Sequence, residues 1–331
     1  MDEERDAGGP LRVGLYGANG HQIQAKLLSR SDARLVAAAG VPDDAFPEAP
    51  RGQAALKRYG TLDELLADPD VDLVSLCSPR RDQQAEDAIK ALRRGKHVYA
   101  EKPCAPSEGK LEQILAAARN SGRRFREMGD TLFEASGPWY AMRELVRSGA
   151  IGDVVQIHAQ KSYPWHDRRP VDDGVDGGLV AWVGVHGFRW IEHIGGSRVK
   201  EVLAAAKTPF GAPAGRGTTM AAACLLALEN GGVATLTTNY LNPRKFGAWG
   251  NEALRIFGAG GMAEITDGGA RSRWFDADGD RGPIPPVETP DYFARLMRFF
   301  RHGEPMPFSL EEDLHPTRVA LRAGAMAKRL A

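Results

Sequence analysis

The chain has 331 residues, 43% of them apolar and 26% charged, and Lys+Arg and Asp+Glu both total 43. That length exceeds what one core usually fills and indicates two domains, while the composition excludes a wholly disordered chain. The balanced charge lacks the cationic surplus that sequence-independent phosphate binding requires, so nucleic acid is not an expected partner.

Residues 1–9 read as a flexible tail. Met1-Asp2-Glu3-Glu4-Arg5-Asp6 is acidic, the reverse of the basic, then apolar start of a secretory signal. From Leu11, short apolar runs alternate with helical segments. Strands are expected over 11–16, 34–39, 71–77, 97–100 and 123–128. Helices are expected over 21–30, from Thr61 to near Pro69, over 83–94 as far as Gly95, and after Ser107. The capping box Thr61-x-x-Glu64 marks one of these starts. Such alternation implies right-handed crossovers and a parallel sheet, making a first domain over 10–130.

Past Asp130 the character changes. A helix over 136–148 precedes strands over 153–159, 199–206, 221–228, 232–240 and 253–257, with Glu229-Asn230-Gly231-Gly232 as a hairpin turn. Consecutive strands imply a second α/β domain over 131–331 with an open, largely antiparallel sheet. One face of such a sheet is covered by helices or used to oligomerise. Helices over 290–302 and 309–329 close the chain, the second opened by the capping box Ser309-x-x-Glu312.

In open parallel sheets ligands bind at the carboxyl ends of the strands. Gly17, Ser78-Pro79 and Glu101-Lys102-Pro103 all fall there. The turn Gly17-Ala18-Asn19-Gly20 follows a strand and opens a helix, where glycine lets the backbone approach a pyrophosphate. The match to G-x-G-x-x-G is imperfect, with Asn19 and Gln22 in place of its second and third glycines. An acid that holds the adenosine ribose belongs at the end of the second strand. That position is Gly40, with Asp43 and Asp44 beyond it, and Arg51 or Arg58 would instead suit a 2′-phosphate. NAD and NADP both stay open.

Cys77, Cys104 and Cys224 are odd in number and far apart, which makes neither a disulfide framework nor a CxxC site. With no metal-ligand spacing, no metal is expected. No apolar run reaches bilayer length, so no membrane partner is expected, and the reading is of a cytoplasmic protein.

The string Gly95-Lys96-His97-Val98-Tyr99-Ala100-Glu101-Lys102-Pro103 resembles the G-K-H-V-x-x-E-K-P segment of the Gfo/Idh/MocA oxidoreductases. The resemblance runs through most of the chain from Leu11. It takes in Ser78-Pro79, the turn Ser148-Gly149-Ala150-Ile151-Gly152, and Gly177-Gly178 leading to Gly184-Val185-His186. It implies an N-terminal Rossmann domain binding NAD or NADP through Gly17, Ala18, Asn19, Gly20, Ser78, Pro79, Glu101 and Lys102. The second domain would then take a small-molecule substrate and form a homodimer or homotetramer. It further implies that Lys102 steadies the alkoxide of a sugar, cyclitol or related alcohol, while His186 takes its proton as hydride leaves for the nicotinamide.

The chain departs from that pattern in three places. Trp182 stands where an aspartate usually precedes the histidine by four residues, and Arg189 stands three residues after it. Pro79-Arg80-Arg81-Asp82-Gln83 replaces P-N-x-x-H. A single helix through this segment would align Trp182, His186, Arg189, Trp190 and His193 on one face. Tyr163, Trp165, Arg168 and Arg169 follow the first strand of the second domain and, with Trp182, are candidates for substrate contact. The arginines suit a carboxylate or phosphate. For His186 a purely structural role is the alternative. For the whole chain the alternative is a dinucleotide-binding sensor or partner subunit without dehydrogenase activity.

Overall fold

A computed structural model describes residues 9–46, 56–129, 137–167, 169, 171–214 and 216–330. They divide into two compact units. The first holds the described residues of 1–105, 109–129 and 291–313, and the second those of 106–108, 130–290 and 314–331.

The first unit is built on six parallel strands: β1 (Leu11–Tyr16), β2 (Ala33–Ala39), β3 (Lys57–Tyr59), β4 (Leu73–Leu76), β5 (His97–Ala100) and β6 (Phe125–Glu127). Their order is β3-β2-β1-β4-β5-β6. Consecutive residues of β4 are buried, the mark of a strand covered on both faces. Because β1 connects to β2 on one side while β4 lies on the other, the order reverses between β1 and β4. That reversal leaves a crevice at their carboxyl ends.

The helices here are α1 (Gln24–Leu27), α2 (Leu62–Ala67), α3 (Gln84–Arg93) and α4 (Glu108–Ser121). The capping box of α2 is formed: Glu64 N–H donates to Thr61 Oγ1 at 3.2 Å and Thr61 N–H to Glu64 Oε2 at 3.0 Å. Two features differ from the sequence expectation. The edge strand β3 is added, because Lys57-Arg58-Tyr59 carries no apolar run that would announce it. In place of a helix over 21–30, α1 keeps only four residues and has no side-chain cap.

The second unit carries a nine-stranded sheet: β7 (Val154–Ser162), β8 (Val199–Thr208), β9 (Ala221–Leu228), β10 (Val233–Asn239), β11 (Ala253–Gly258), β12 (Gly261–Thr266), β13 (Arg271–Asp276), β14 (Gly279–Asp280) and β15 (Lys328–Arg329). The order is β14-β13-β12-β11-β7-β10-β9-β8-β15. Neighbours are antiparallel except at β7–β10 and β8–β15. Alternation sorts the side chains. Ile157, Leu226, Leu236 and Ile256 are fully buried, whereas Val155, Leu203, Leu225 and Val233 stand exposed on the other face.

The buried face is covered by α5 (Pro138–Arg147), α7 (Gly178–Trp182) and α8 (Gly184–Arg189), with α6 (Asp173–Asp176) just before α7. A π-helical turn over Trp190–Ile194 follows α8, and Trp190 stacks on Trp139 of α5 at 4.5 Å. The single helix expected from Trp182 to His193 is thus three pieces. It breaks at Val183 and widens after Arg189, so a 3.6-residue period does not carry through it.

The last two helices are α9 (Tyr292–His302) and α10 (Leu310–Met326). Phe300 of α9 is fully buried against His97 and Tyr99 of β5, and its carbonyl accepts from Arg124 Nη1 at 2.7 Å. This segment therefore folds with the first unit rather than with its sequence neighbours. The Ser309–Glu312 capping box is also formed. No described helix is long and apolar enough to cross a membrane.

Candidate functional site

In the first unit the chain leaves β1 through Gly17, which is buried and has φ +69°. A Cβ there would lie 2.1 Å from the Cys77 carbonyl oxygen and 2.8 Å from Pro79 Cδ. Only glycine allows this turn to rest on the end of β4. Ala18, Asn19 and Gly20 are exposed beyond it. Asn19 N–H donates to Cys77 O at 3.3 Å and Asn19 Nδ2 to Pro79 O at 3.4 Å. Gly17 to Gly20, Ser78 and Pro79 are therefore gathered at the strand-order reversal.

Glu101, fully buried, reaches the same turn. Its Oε2 accepts the His21 N–H at 2.6 Å, and His21 Nδ1 lies 2.9 Å from the carboxylate. Gly20 makes room for this, since a Cβ on it would meet Glu101 Cγ at 2.5 Å. Burial by itself would raise the pKa of this carboxyl. The hydrogen bond from His21, with the charges of His21, Arg81 and Lys102, outweighs burial and holds it down to about 2.

A shift from the ordinary 4.5 to about 2 represents about 3 kcal/mol of folding stability. Because the folded value is the lower one, that stabilisation is complete above the unfolded value and is lost as the pH falls towards 2. Denaturant unfolding measured at several acidic pH values should show this slope in the native chain. In Glu101→Gln the slope should be reduced, and an unaltered slope would show that Glu101 is not its source.

Lys102, only 1% exposed, follows just after β5, and the Lys102–Pro103 peptide is cis. Its carbonyl accepts from Arg81 Nη2 at 2.6 Å. Arg81 also donates to the Asn19 carbonyl and to Gln84 Oε1, each at 3.1 Å. Gln84 Nε2 in turn donates to the Glu101 carbonyl. One buried guanidinium thus ties the β1 turn, the segment after β4 and the end of β5 together.

Gln22 does similar work. Its Nε2 donates to the carbonyls of Tyr16, Gly17 and Ser75, and its Oε1 accepts from Ser75 Oγ at 2.7 Å. A side chain that fastens the strand ends has taken the place of the third glycine. The sequence reading missed Arg81, Gln84 and His21; nothing in their spacing marks them, because their partners, the Asn19, Lys102 and Glu101 carbonyls and the Glu101 carboxylate, are brought close only by the sheet. Arg58 donates to Asp43 Oδ1 and the Val41 carbonyl and lies 4.1 Å over the Phe46 ring. Arg51 lies outside the described residues.

In the second unit, β7 places Lys161 on the buried face in line with Ile157 and Ala159. Its ammonium pairs with Glu252 and lies 4.8 Å over the Tyr163 ring and 5.2 Å over that of Trp190. Burial pushes its pKa down, with the Glu252 charge opposing. Tyr163 and Arg169 come together: the Arg169 guanidinium sits 4.2 Å from the Tyr240 ring and 5.6 Å from that of Tyr163. Trp165 contacts Tyr240 edge-on at 6.1 Å. Burial raises the Tyr240 pKa, against the charge of Arg169. His186 is buried within α8, and Trp182 is half-buried at the end of α7. Arg168 lies outside the described residues. Lys161 was missed because the expected strand ended at residue 159, whereas β7 runs on to Ser162.

Comparisons with known proteins agree with this architecture. Residues 11–128 match the oxidoreductase family described as an NAD-binding Rossmann fold, and residues 139–264 match the GFO/IDH/MocA C-terminal domain. The chain is 26% identical over 281 residues to the uncharacterised oxidoreductase ORF334 of Rhizobium meliloti, covering 80% of each. It is 33% identical over 190 residues, 56% of this chain and 50% of the relative, to the dTDP-3,4-didehydro-2,6-dideoxy-alpha-D-glucose 3-reductase of Streptomyces violaceoruber. An oxidoreductase structure from Thermotoga maritima superimposes with a TM-score of 0.84 at 25% identity, covering 96% of this chain and 98% of that one. With strand order, glycine turn and both domain matches in accord, the chain belongs to the Gfo/Idh/MocA oxidoreductase family, an NAD-binding Rossmann domain followed by that family's C-terminal domain.

Proposed function

We propose that this protein is an NAD(P)-dependent oxidoreductase acting on a sugar, cyclitol or related small oxygenated substrate. The observation that carries the reading is the position of Lys102. It is buried just after β5, next in the chain to Glu101, whose carboxylate the β1 turn holds through His21. The first unit fits the cofactor because the Gly17 turn is a cradle whose strand side a Cβ would fill. Gly17, Ala18, Asn19, Gly20, Ser78, Pro79, Glu101 and Lys102 would hold it, and when bound it supplies or accepts the hydride. Lys102 then stabilises negative charge on the substrate oxygen, and His186 holds the proton of the hydroxyl.

Two relatives support chemistry at a carbonyl or hydroxyl carbon. These are the dTDP-sugar 3-reductase and a trans-1,2-dihydrobenzene-1,2-diol dehydrogenase of Bos taurus, the latter 28% identical over 182 residues, 54% of this chain and 53% of that protein. The apolar side chains on the open face of the nine-stranded sheet, Val155, Leu203, Leu225 and Val233, suit a homodimer or homotetramer. A non-catalytic dinucleotide sensor is the second reading, favoured by Trp182 in place of an acid.

Fluorescence titration with NADH and NADPH, followed by turnover on a panel of sugars, cyclitols and sugar acids, separates the two. Lys102→Ala is expected to lower kcat by at least about 100-fold, with a much smaller loss of cofactor affinity because Gly17, Ala18, Asn19, Gly20, Ser78, Pro79 and Glu101 share in holding the dinucleotide. Unchanged turnover in that variant would remove Lys102 from its role.

A further inference from the structure

We propose that Arg169 receives a negatively charged oxygen group, a carboxylate or a phosphate, carried by the small molecule that the second unit binds. Calling that molecule the substrate rests on the oxidoreductase reading above; the anion site itself rests on the second unit alone.

Arg169 is 8% exposed, and its Nε and Nη2 are closed off from solvent with no hydrogen-bond partner. Among the described residues no carboxylate stands within ion-pair distance of it. Nε and Nη2 form the side edge of the guanidinium, the fork that matches two oxygens of one carboxylate or phosphate. A buried charge is ordinarily paired, and the surroundings of Arg169 follow that rule for their other charges. Lys161 has Glu252, and Asp173 is bound by Lys207 Nζ at 2.6 Å. Asp176, whose charge is felt at Tyr240, accepts from Gly178 N–H at 2.9 Å.

Tyr240 at 4.2 Å and Tyr163 at 5.6 Å hold the cation by their ring faces but offer the fork no anionic oxygen. Two residues before the buried Tyr240, on the buried face of β10, Thr238 has a hydroxyl that also lacks a partner. A ligand oxyanion can satisfy both groups. Its entry requires the covering side chains to part, and exposed Trp249, 5.9 Å from Tyr163, borders this wall.

The test uses the full chain and two simple probes, inorganic phosphate and malonate, each at millimolar concentration against sodium chloride of equal ionic strength. The expected result is a Tm rise of about 3 °C or more with at least one probe, absent in Arg169→Gln. The responding probe tells phosphate from carboxylate. No rise with either probe, or the same rise in Arg169→Gln, overturns the proposal. Should Arg169→Gln fail to fold, Arg169→Lys keeps the charge and loses the fork. Its shift is expected to fall below half that of wild type, and a full shift overturns the proposal. Binding of NADPH and NADH by Arg169→Gln is expected to match wild type. Absence of cofactor binding in the wild-type chain would sink the oxidoreductase reading while leaving the anion result to stand or fall separately.

Discussion

Replacing Gly17 by alanine is expected to abolish useful nucleotide binding and to lower the thermal stability of the chain. The backbone there has φ +69°, a region that costs an ordinary residue about 1–2 kcal/mol. The added Cβ would also lie 2.1 Å from the Cys77 carbonyl oxygen. That oxygen belongs to backbone at the end of β4, so no rotamer change relieves the overlap and the turn must lift from the sheet. Because Asn19 N–H and Nδ2 anchor to Cys77 and Pro79, the whole Gly17–Gly20 segment moves with it. We expect affinity for NADH or NADPH to fall by at least about 100-fold, ~2.7 kcal/mol, in a fluorescence titration. Wild-type affinity in Gly17→Ala would mean that this turn does not hold the dinucleotide.

The second large effect lies in the other unit. Glu252→Gln leaves the Lys161 ammonium buried without its counter-charge, and breaking such a pair costs about 3–5 kcal/mol. Lys161→Met, which leaves the carboxylate unpaired, should cost a similar amount. The double replacement Lys161→Met/Glu252→Leu should recover most of the loss, because an apolar pair of similar size removes both desolvation penalties. Denaturant unfolding of the wild type, Lys161→Met, Glu252→Leu and their double replacement measures this as a double-mutant cycle. Additive losses, each under about 1 kcal/mol, would show that the pair behaves as a solvated surface bridge.

The pH dependence gives an independent check on the same pair. Burial holds the Lys161 pKa below its ordinary value in the folded chain. The unfolded state therefore binds more protons between the two values, and stability rises with pH across that window. In Glu252→Gln the opposing charge is gone, so the window widens towards lower pH.

Several elements of this protein were readable as residues in a row because they are local. The two capping boxes, at Thr61 and Ser309, each need only side chains three positions apart, and both are formed. Gly17 stood out because a strand, a glycine and a helical segment follow one another. The apolar runs of β1, β4 and β5 marked a parallel sheet. By contrast β3, α1 and the Trp182–His193 segment departed from expectation. The polar edge strand β3 shows no apolar period, the first turn of α1 is replaced by Gln22 fastening three carbonyls, and a π-helical turn breaks a regular spacing. Lys161 is the instructive omission. On a strand that alternates Ile157, Ala159, Lys161, a charge on the inward side calls for a partner, and finding Glu252 as that partner required the fold.

By itself the amino-acid order determined the class of the chain, the parallel sheet of its first half, the glycine turn and the Glu101-Lys102-Pro103 strand end. Each of these is encoded in contiguous residues by period, propensity and turn chemistry. The tertiary structure alone decided what surrounds those residues. It brought Arg81 onto the carbonyls of Asn19 and Lys102, packed Phe300 of α9 against β5, and set Arg169 between Tyr163 and Tyr240 with its fork unpaired. Such contacts join groups far apart in the chain, and their energies depend on burial and distance. Neither quantity exists until the sheets have formed.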